Sequence, residues 1–431
     1  MTTYRVLVVD DSAFMRTIIS DLILQDKQFV IAATAANGAE AVAAAAQHKP
    51  DVITMDLEMP ILNGIEALQL IMKETPTPVI MLSGISEDNA RDTIKALQYG
   101  ALDFIRKPST SKTGDIHQVG EQLLEKLRIA VFARRSRTGA LPERPKVDIA
   151  PLEKKPEPRV KPRLKPPDTL SPPAAPLHKA KLERKPEEKR GAALTKPPDG
   201  TIHREKRLAA PNAGLPAQQP TASPPVEQQP IVRRVQHSGA FKHIVAIGTS
   251  TGGPRALHEV ICSLPNGFPA PVLVVQHMPP KFTKSLAQRL DSFSALTVVE
   301  AEQGMRVSAS FVYVAPGGKH MELDKDAAGY FIRLTDQPQR NGHRPSVDVM
   351  FESLLPFPEI QRHAVIMTGM GSDGAKGLKA LAEGGAATTI AESEETCIVY
   401  GMPRAAVECG AAQHVLPLHG IAQQLACTVL T

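Results

Sequence analysis

Between Leu141 and Pro230 the sequence carries 20 of its 38 prolines and not one Phe, Tyr or Trp. A segment of that composition cannot bury enough apolar surface to offset the entropy of ordering it. It reads as a disordered, partly extended, polyproline-like linker over residues 136–240. The chain is thereby divided into a first part, residues 1–135, and a last part, residues 241–431, each long enough to build its own core. Aromatic residues are only 4% of the chain and Trp is absent, so those cores must be filled by Val, Ile, Leu, Ala and Met.

The linker also explains the charge. The chain is formally +5, yet Leu141 to Pro230 alone holds 18 Lys/Arg against 11 Asp/Glu, which leaves the remainder at −2. Both signs are interspersed through it, the pattern of a solvated tether rather than a nucleic-acid arm. The opening MTTYRVLVVDD meets acid after nine residues, so it is no secretory signal. No apolar run approaches the roughly 18 residues that span a bilayer. Cys262, Cys397, Cys409 and Cys427 form no C-x-x-C pair. A cytoplasmic protein with reduced thiols and no membrane insertion is expected.

Residues 1–135 alternate strand-like and helix-like runs, the pattern of a doubly wound parallel sheet. Strands are expected at Arg5–Val9, Val30–Ala33, Val52–Met55, Val79–Leu82 and Phe104–Ile105, and helices over Ala39–Gln47, Glu87–Tyr99 and Ile116–Ala133. Ligands of such sheets sit beyond the carboxyl ends of the strands, where Asp10, Asp11, Asp56, Ser83 and Lys107 fall. Taken singly each has an ordinary explanation: a helix cap, a turn residue, a surface charge. Together, three carboxylates in one crevice call for a cation, and hard oxygen ligands suit Mg²⁺. Asp56 can accept a phosphoryl group as an acyl phosphate, with Lys107 neutralising its oxygens and the Ser83 hydroxyl bonding one of them.

In the last part, IVAIGTSTGGP (residues 244–254) joins a buried apolar strand to a Gly/Ser/Thr turn and a Pro suited to a first helical turn. Residues 248–252 spell G-x-S-x-G, the pattern of a serine exposed on a strand-to-helix turn. Ser250 there is a candidate acyl nucleophile; a turn of this composition also cradles anions. Further strands are expected at 272–275, 311–314 and 364–367. His277 follows the first of these and Asp373 lies in the glycine-rich turn after the last. A lone strand-end His is commonly a loop residue and a lone Asp in such a turn a helix cap. All three at strand ends of one parallel sheet make a nucleophile, base and orienting acid. Their order, Ser then His then Asp, differs from that of the α/β-hydrolases. His320, His343 and Cys262 are too scattered for a metal site and belong to loops or core.

VLVVDDS, VITMDLEMPILNG, MLSG and GALDFIRKP resemble the response-regulator receiver family across nearly all of the first part. The resemblance implies a flavodoxin-like receiver domain in which Asp56 is the phosphoacceptor and Asp10, Asp11 and Asp56 bind Mg²⁺. It makes Ser83 and Lys107 the switch pair and Phe104 the aromatic switch residue. IVAIGTSTGGP, VVQHMPPKFT, VYVAPGGKHMEL, HRPSVDVMFES, VIMTGMGSDGA and VYGMPRAA resemble the catalytic domain of the chemotaxis protein-glutamate methylesterases. That family implies an α/β parallel-sheet, Rossmann-like domain with Ser250 as nucleophile, His277 as base and Asp373 as orienting acid, and with backbone N–H groups near Thr251 or Met370 as oxyanion donors. It implies hydrolysis of glutamyl methyl esters on chemoreceptors, with glutamine deamidation besides, no cofactor for the esterase, and a chemotaxis histidine kinase as phosphodonor. It also implies an unphosphorylated receiver docked over Ser250, here through a linker longer than the family's usual one. The competing class, a regulator whose output binds DNA, finds no helix-turn-helix and no basic recognition helix in the last part.

Overall fold

In a computed structural model the described residues are 3–84, 86–107, 113–137 and 241–430. The expected linker over 136–240 lies almost wholly outside them. The first part alternates β1 (Tyr4–Val9), α1 (Ala13–Leu24), β2 (Phe29–Ala35), α2 (Gly38–His48), β3 (Val52–Asp56), α3 (Gly64–Glu74), β4 (Val79–Ser83), α4 (Glu87–Gln98), β5 (Asp103–Arg106) and α5 (Thr113–Arg137). Its sheet is parallel in the order β2-β1-β3-β4-β5, the flavodoxin-like winding. VITMD and VIMLS are buried at every position because helices cover both faces. Side chains mark the helix starts: Ser12, Asn37 and Ser86 each cap a helix, and Asn63 forms a capping box with Glu66.

The last part runs β6 (His243–Thr249), α6 (Gly253–Ser263), β7 (Val272–Gln276), α7 (Phe282–Asp291), β8 (Thr297–Glu300), β9 (Phe311–Val314), β10 (His320–Asp326), β11 (Gly329–Thr335), α8 (Val347–Glu352), β12 (Gln361–Ile366), α9 (Ala375–Glu383), β13 (Thr388–Glu392), α10 (Met402–Glu408), β14 (His414–Leu416) and α11 (Leu418–Leu430). Seven strands form a parallel sheet ordered β14-β13-β12-β6-β7-β9-β8. The chain starts in the middle at β6, passes to β7, runs to the edge at β8, turns back to place β9 between β7 and β8, then returns to the other side of β6 with β12. That reversal makes the carboxyl ends of β12, β6 and β7 a topological switch point. The strand expected at 364–367 is displaced to Gln361–Ile366, since pairing to β6 begins at Gln361 and His243. Two stretches depart from βα alternation: β8 leads to β9 with no helix between them, and β10 and β11 form an antiparallel hairpin outside the main sheet. The hairpin's first strand, HMELDKD, is half charged, so it carries no apolar run to announce it.

The two parts pack as one compact unit. One apolar cluster runs through Ile94 and Phe104 of the first and Phe282 and Leu286 of the last.

Candidate functional site

The strand-to-helix turn after β6 is as sharp as its glycines demand. Gly252 has φ +80°, in the left-handed region open to glycine, and Pro254 follows in the first turn of α6. Ser250 is held in that turn by its backbone N–H, which donates to the Thr368 carbonyl at 3.0 Å, while its own carbonyl receives the Gly253 N–H at 2.8 Å. His277 follows β7, one strand over, and donates its backbone N–H to the Thr249 carbonyl at 3.1 Å. Asp373 follows β12, on the other side of β6. The switch point thus brings all three sequence candidates to neighbouring strand ends.

The chemistry of the cluster follows from its hydrogen bonds. His277 Nε2 lies 2.8 Å from Asp373 Oδ2. Asp373 is 2% exposed and receives four further donors: Asn341 Nδ2 at 2.8 Å, Ser346 Oγ at 2.8 Å, Val347 N at 2.7 Å and Asp348 N at 3.4 Å. Burial pushes this carboxyl up, but the His277, Asn341 and Val347 hydrogen bonds outweigh it and hold Asp373 well below the usual carboxylate range. An ionised carboxylate only accepts, so the shared proton sits on His277 Nε2. In the neutral ring Nδ1 then carries the lone pair. This nitrogen is buried and has no hydrogen-bond partner, and His277 and Ser250 line the same cavity.

Three contributors escaped the sequence reading. Asn341 and Ser346 lie 32 and 27 residues before Asp373 in a polar loop that reads as connection. His343, given no role, stacks face to face on His277, with centroids 3.7 Å apart and planes 9° from parallel. Burial and the neighbouring His277 push its imidazole down to about 4, so it stays uncharged at neutral pH. The HRPSVD segment stood out, but nothing in its spacing to His277 or Asp373 announces contact. His320 is core as expected: its Nδ1 accepts from Ser346 N at 3.2 Å, and Nε2 lies 3.1 Å from the Pro338 carbonyl. Cys262 is half-buried in α6 and burial pushes its thiol up to about 11, an inert state.

The first sheet gathers carboxylates of its own in one crevice. Asp10, Asp11 and Asp56 can each bring an oxygen within 4.8 Å of the others, a hard, anionic donor set that fits Mg²⁺. Lys107 Nζ bridges Asp10 Oδ2 and Asp56 Oδ2, each at 2.7 Å. Burial raises the Asp56 carboxyl to about 6 against the opposing pull of Lys107. Ser83 is fully buried, and its hydroxyl accepts from Thr93 Oγ1 at 2.7 Å.

The first part reaches the Ser250 turn directly. Thr251 Oγ1, one residue after Ser250, donates to Asp103 Oδ2 at 2.7 Å, and Lys126 of α5 pairs with the same oxygen. Phe104 is stacked on Phe282 of α7, with centroids 4.5 Å apart. Arg289 of α7 donates to Gln98 of α4 at 2.7 Å. What remains over Ser250 and His277 is a cavity of about 20 Å³, walled by Leu97, Asp103, Phe104 and Lys126. That is room for about one water.

A carboxylate crevice at the strand ends of a flavodoxin-like sheet, joined to a second sheet with a Ser-His-Asp corner, is the arrangement of a response regulator whose output domain is a hydrolase. Residues 6–118 match the response regulator receiver domain model and residues 245–425 match the CheB methylesterase model. A protein-glutamate methylesterase/protein-glutamine glutaminase of Geobacillus kaustophilus is 39% identical over 98% of this chain and 97% of its own length; one of Thermotoga maritima is 41% identical over the same shares. The chain belongs to the protein-glutamate methylesterase/protein-glutamine glutaminase family. Among solved structures, the Thermotoga maritima CheB methylesterase catalytic domain is 48% identical, covers 44% of this chain and 100% of its own, with a TM-score of 0.43. The response regulator domain of Thermotoga maritima CheB is 54% identical over 30% of this chain and 97% of its own, with a TM-score of 0.28. Among the described residues no helix is long and apolar enough to cross a membrane.

Proposed function

We propose that this chain hydrolyses glutamyl methyl esters of chemoreceptors in the cytoplasm, using Ser250 as nucleophile, His277 Nδ1 as base and Asp373 as the acid that orients and stabilises the imidazolium. The observation that carries the reading is the ionised Asp373 on His277 Nε2, which leaves the opposite ring nitrogen free to take a proton. Ser250 Oγ attacks the ester carbon as its proton passes to Nδ1. Backbone N–H groups at Thr251 or Met370 hold the oxyanion. Collapse breaks the bond to methoxide, which leaves as methanol with the proton from Nδ1. Water then adds to the γ-glutamyl ester of Ser250, again giving its proton to Nδ1, and the glutamate and free serine are restored. A glutamine side chain passes through the same intermediates and releases ammonia.

The receiver makes the activity conditional. A chemotaxis histidine kinase supplies the phosphoryl group to Asp56. Mg²⁺ held by Asp10, Asp11 and Asp56 would supply charge neutralisation there. Lys107 and the Ser83 hydroxyl bind the transferred phosphoryl oxygens, and Phe104 couples this change to the surface against Phe282. With about 20 Å³ left above Ser250, a glutamyl ester cannot enter the docked form. Phosphorylation therefore acts by weakening that contact. The test is methanol release from methylated receptor membranes. Ser250→Ala should release none above background while still taking label from a small phosphodonor; near-normal release by the purified variant would remove Ser250 from the mechanism.

A further inference from the structure

Gln276 is the last residue of β7, 2% exposed, and it stands between the two groups that must meet for reaction. It lies opposite Thr249 in the β6–β7 register, beside the end of the strand that delivers Ser250. Its side-chain nitrogen Nε2 donates to the Ser250 carbonyl at 2.9 Å and to the His277 carbonyl at 3.2 Å. Its oxygen accepts from the Thr249 hydroxyl at 2.7 Å. The orientation of this amide is fixed by chemistry, because two carbonyls can face only the nitrogen and a hydroxyl satisfies the oxygen. The neighbouring backbone is shaped around it: a methyl on Gly253 would come within 1.9 Å of Gln276 Oε1.

We propose that Gln276 is a positioning residue, one planar group that fixes the backbone of the nucleophile against the backbone of the base. The inference rests on the hydrolase reading of Ser250 and His277. Two hydrogens of a single amide are shared between the carbonyls of those two residues, so neither can shift along the rim without losing a hydrogen bond. A side chain that only filled space would place no such tie. Displacing reacting groups by about 1 Å costs about 100-fold in rate, and Gln276 acts through Ser250 and His277, whose carbonyls it holds.

The experiment uses the full chain activated by a small phosphodonor, across roughly pH 5–9. It records methanol release from methylated receptor membranes and the rate at which a sulfonyl fluoride labels Ser250. Gln276→Leu should lower kcat and Ser250 labelling by about 100-fold with KM little changed. Gln276→Glu places a carboxyl against two carbonyl oxygens, where only its protonated form donates. Its kcat and labelling rate should therefore fall with rising pH, a descending limb absent from the parent. If Gln276→Leu fails to fold by near-UV circular dichroism, the pH profile of Gln276→Glu decides alone. Variants within about twofold of the parent, far short of that loss, would overturn the inference, as would a Gln276→Glu profile of the parent's shape. Parent chain that labels at Ser250 in the expected pattern but releases no methanol would overturn the ester-hydrolase reading and leave the positioning role standing.

Discussion

Asp103→Ala should raise basal activity without phosphorylation. Asp103 Oδ2 receives the Thr251 hydroxyl at 2.7 Å and pairs with Lys126, and Asp103 and Thr251 are 8% and 6% exposed in the docked form. A hydrogen bond to a charged group contributes about 1.5–3 kcal/mol net. On undocking both partners regain water, and Lys126 stays within the receiver, so the lower figure applies to the docking equilibrium. At 1.4 kcal/mol per decade, a loss of about 1.5 kcal/mol raises the undocked population about tenfold. Basal methanol release should rise by the same factor until it meets the rate of the phosphorylated protein, which should itself be unaltered. The assay compares both proteins with and without phosphodonor on the same receptor membranes. A basal rate unchanged by Asp103→Ala, in a variant that folds and phosphorylates normally, would refute the view that this contact sets the inhibition.

Asp373→Asn should cut methanol release at least ~100-fold by misplacing and destabilising the His277 imidazolium, and a change under about twofold would assign the orienting role elsewhere. The Asp373 carboxyl is depressed in the folded state, so its contribution to stability is complete above the unfolded value of about 3.9 and is lost as pH falls through the lower folded value; denaturation of Asp373→Asn should accordingly show a shallower acid limb. Gly369→Ala places a methyl 2.4 Å from Met402 Sδ and 2.8 Å from Ser250 Cβ. Overpacking of this kind costs about 1–3 kcal/mol, and because Ser250 is one of the two groups that must yield, kcat should fall along with stability, whereas lost stability with full activity would place the strain on Met402 alone.

Much of this was legible in the sequence because parallel α/β sheets put function at one end of their strands. Asp10, Asp56, Ser83, Lys107, Ser250, His277 and Asp373 each follow or end an apolar run, so finding the run finds the residue. The partners of Asp373 were not legible. Asn341 and Ser346 sit in a loop entered from a charged hairpin, where neither periodicity nor spacing points to a strand end. The contact between the two parts was hidden for another reason. Phe282 falls on the buried face of α7 and reads as core of its own domain, which it is; burial shows that a face is covered, not by which domain. Arg289 and Gln98 are polar residues on helices whose pairing across the chain no local pattern encodes.

The Ser250 and His277 ends of the site lie close in sequence, but Asp373 comes 96 residues after His277. At about 5–20 residues per second, a ribosome needs roughly 5–20 s to add them. Throughout that interval the nascent chain holds a serine and a histidine with no carboxylate to set the ring's tautomer, and β12 is not yet there to complete the rim. The receiver, synthesised first, is by then free to fold. The order of the chain thus makes the inhibitor before the nucleophile and the nucleophile before the group that arms it, so that translation itself withholds hydrolytic capacity until the cover for it exists.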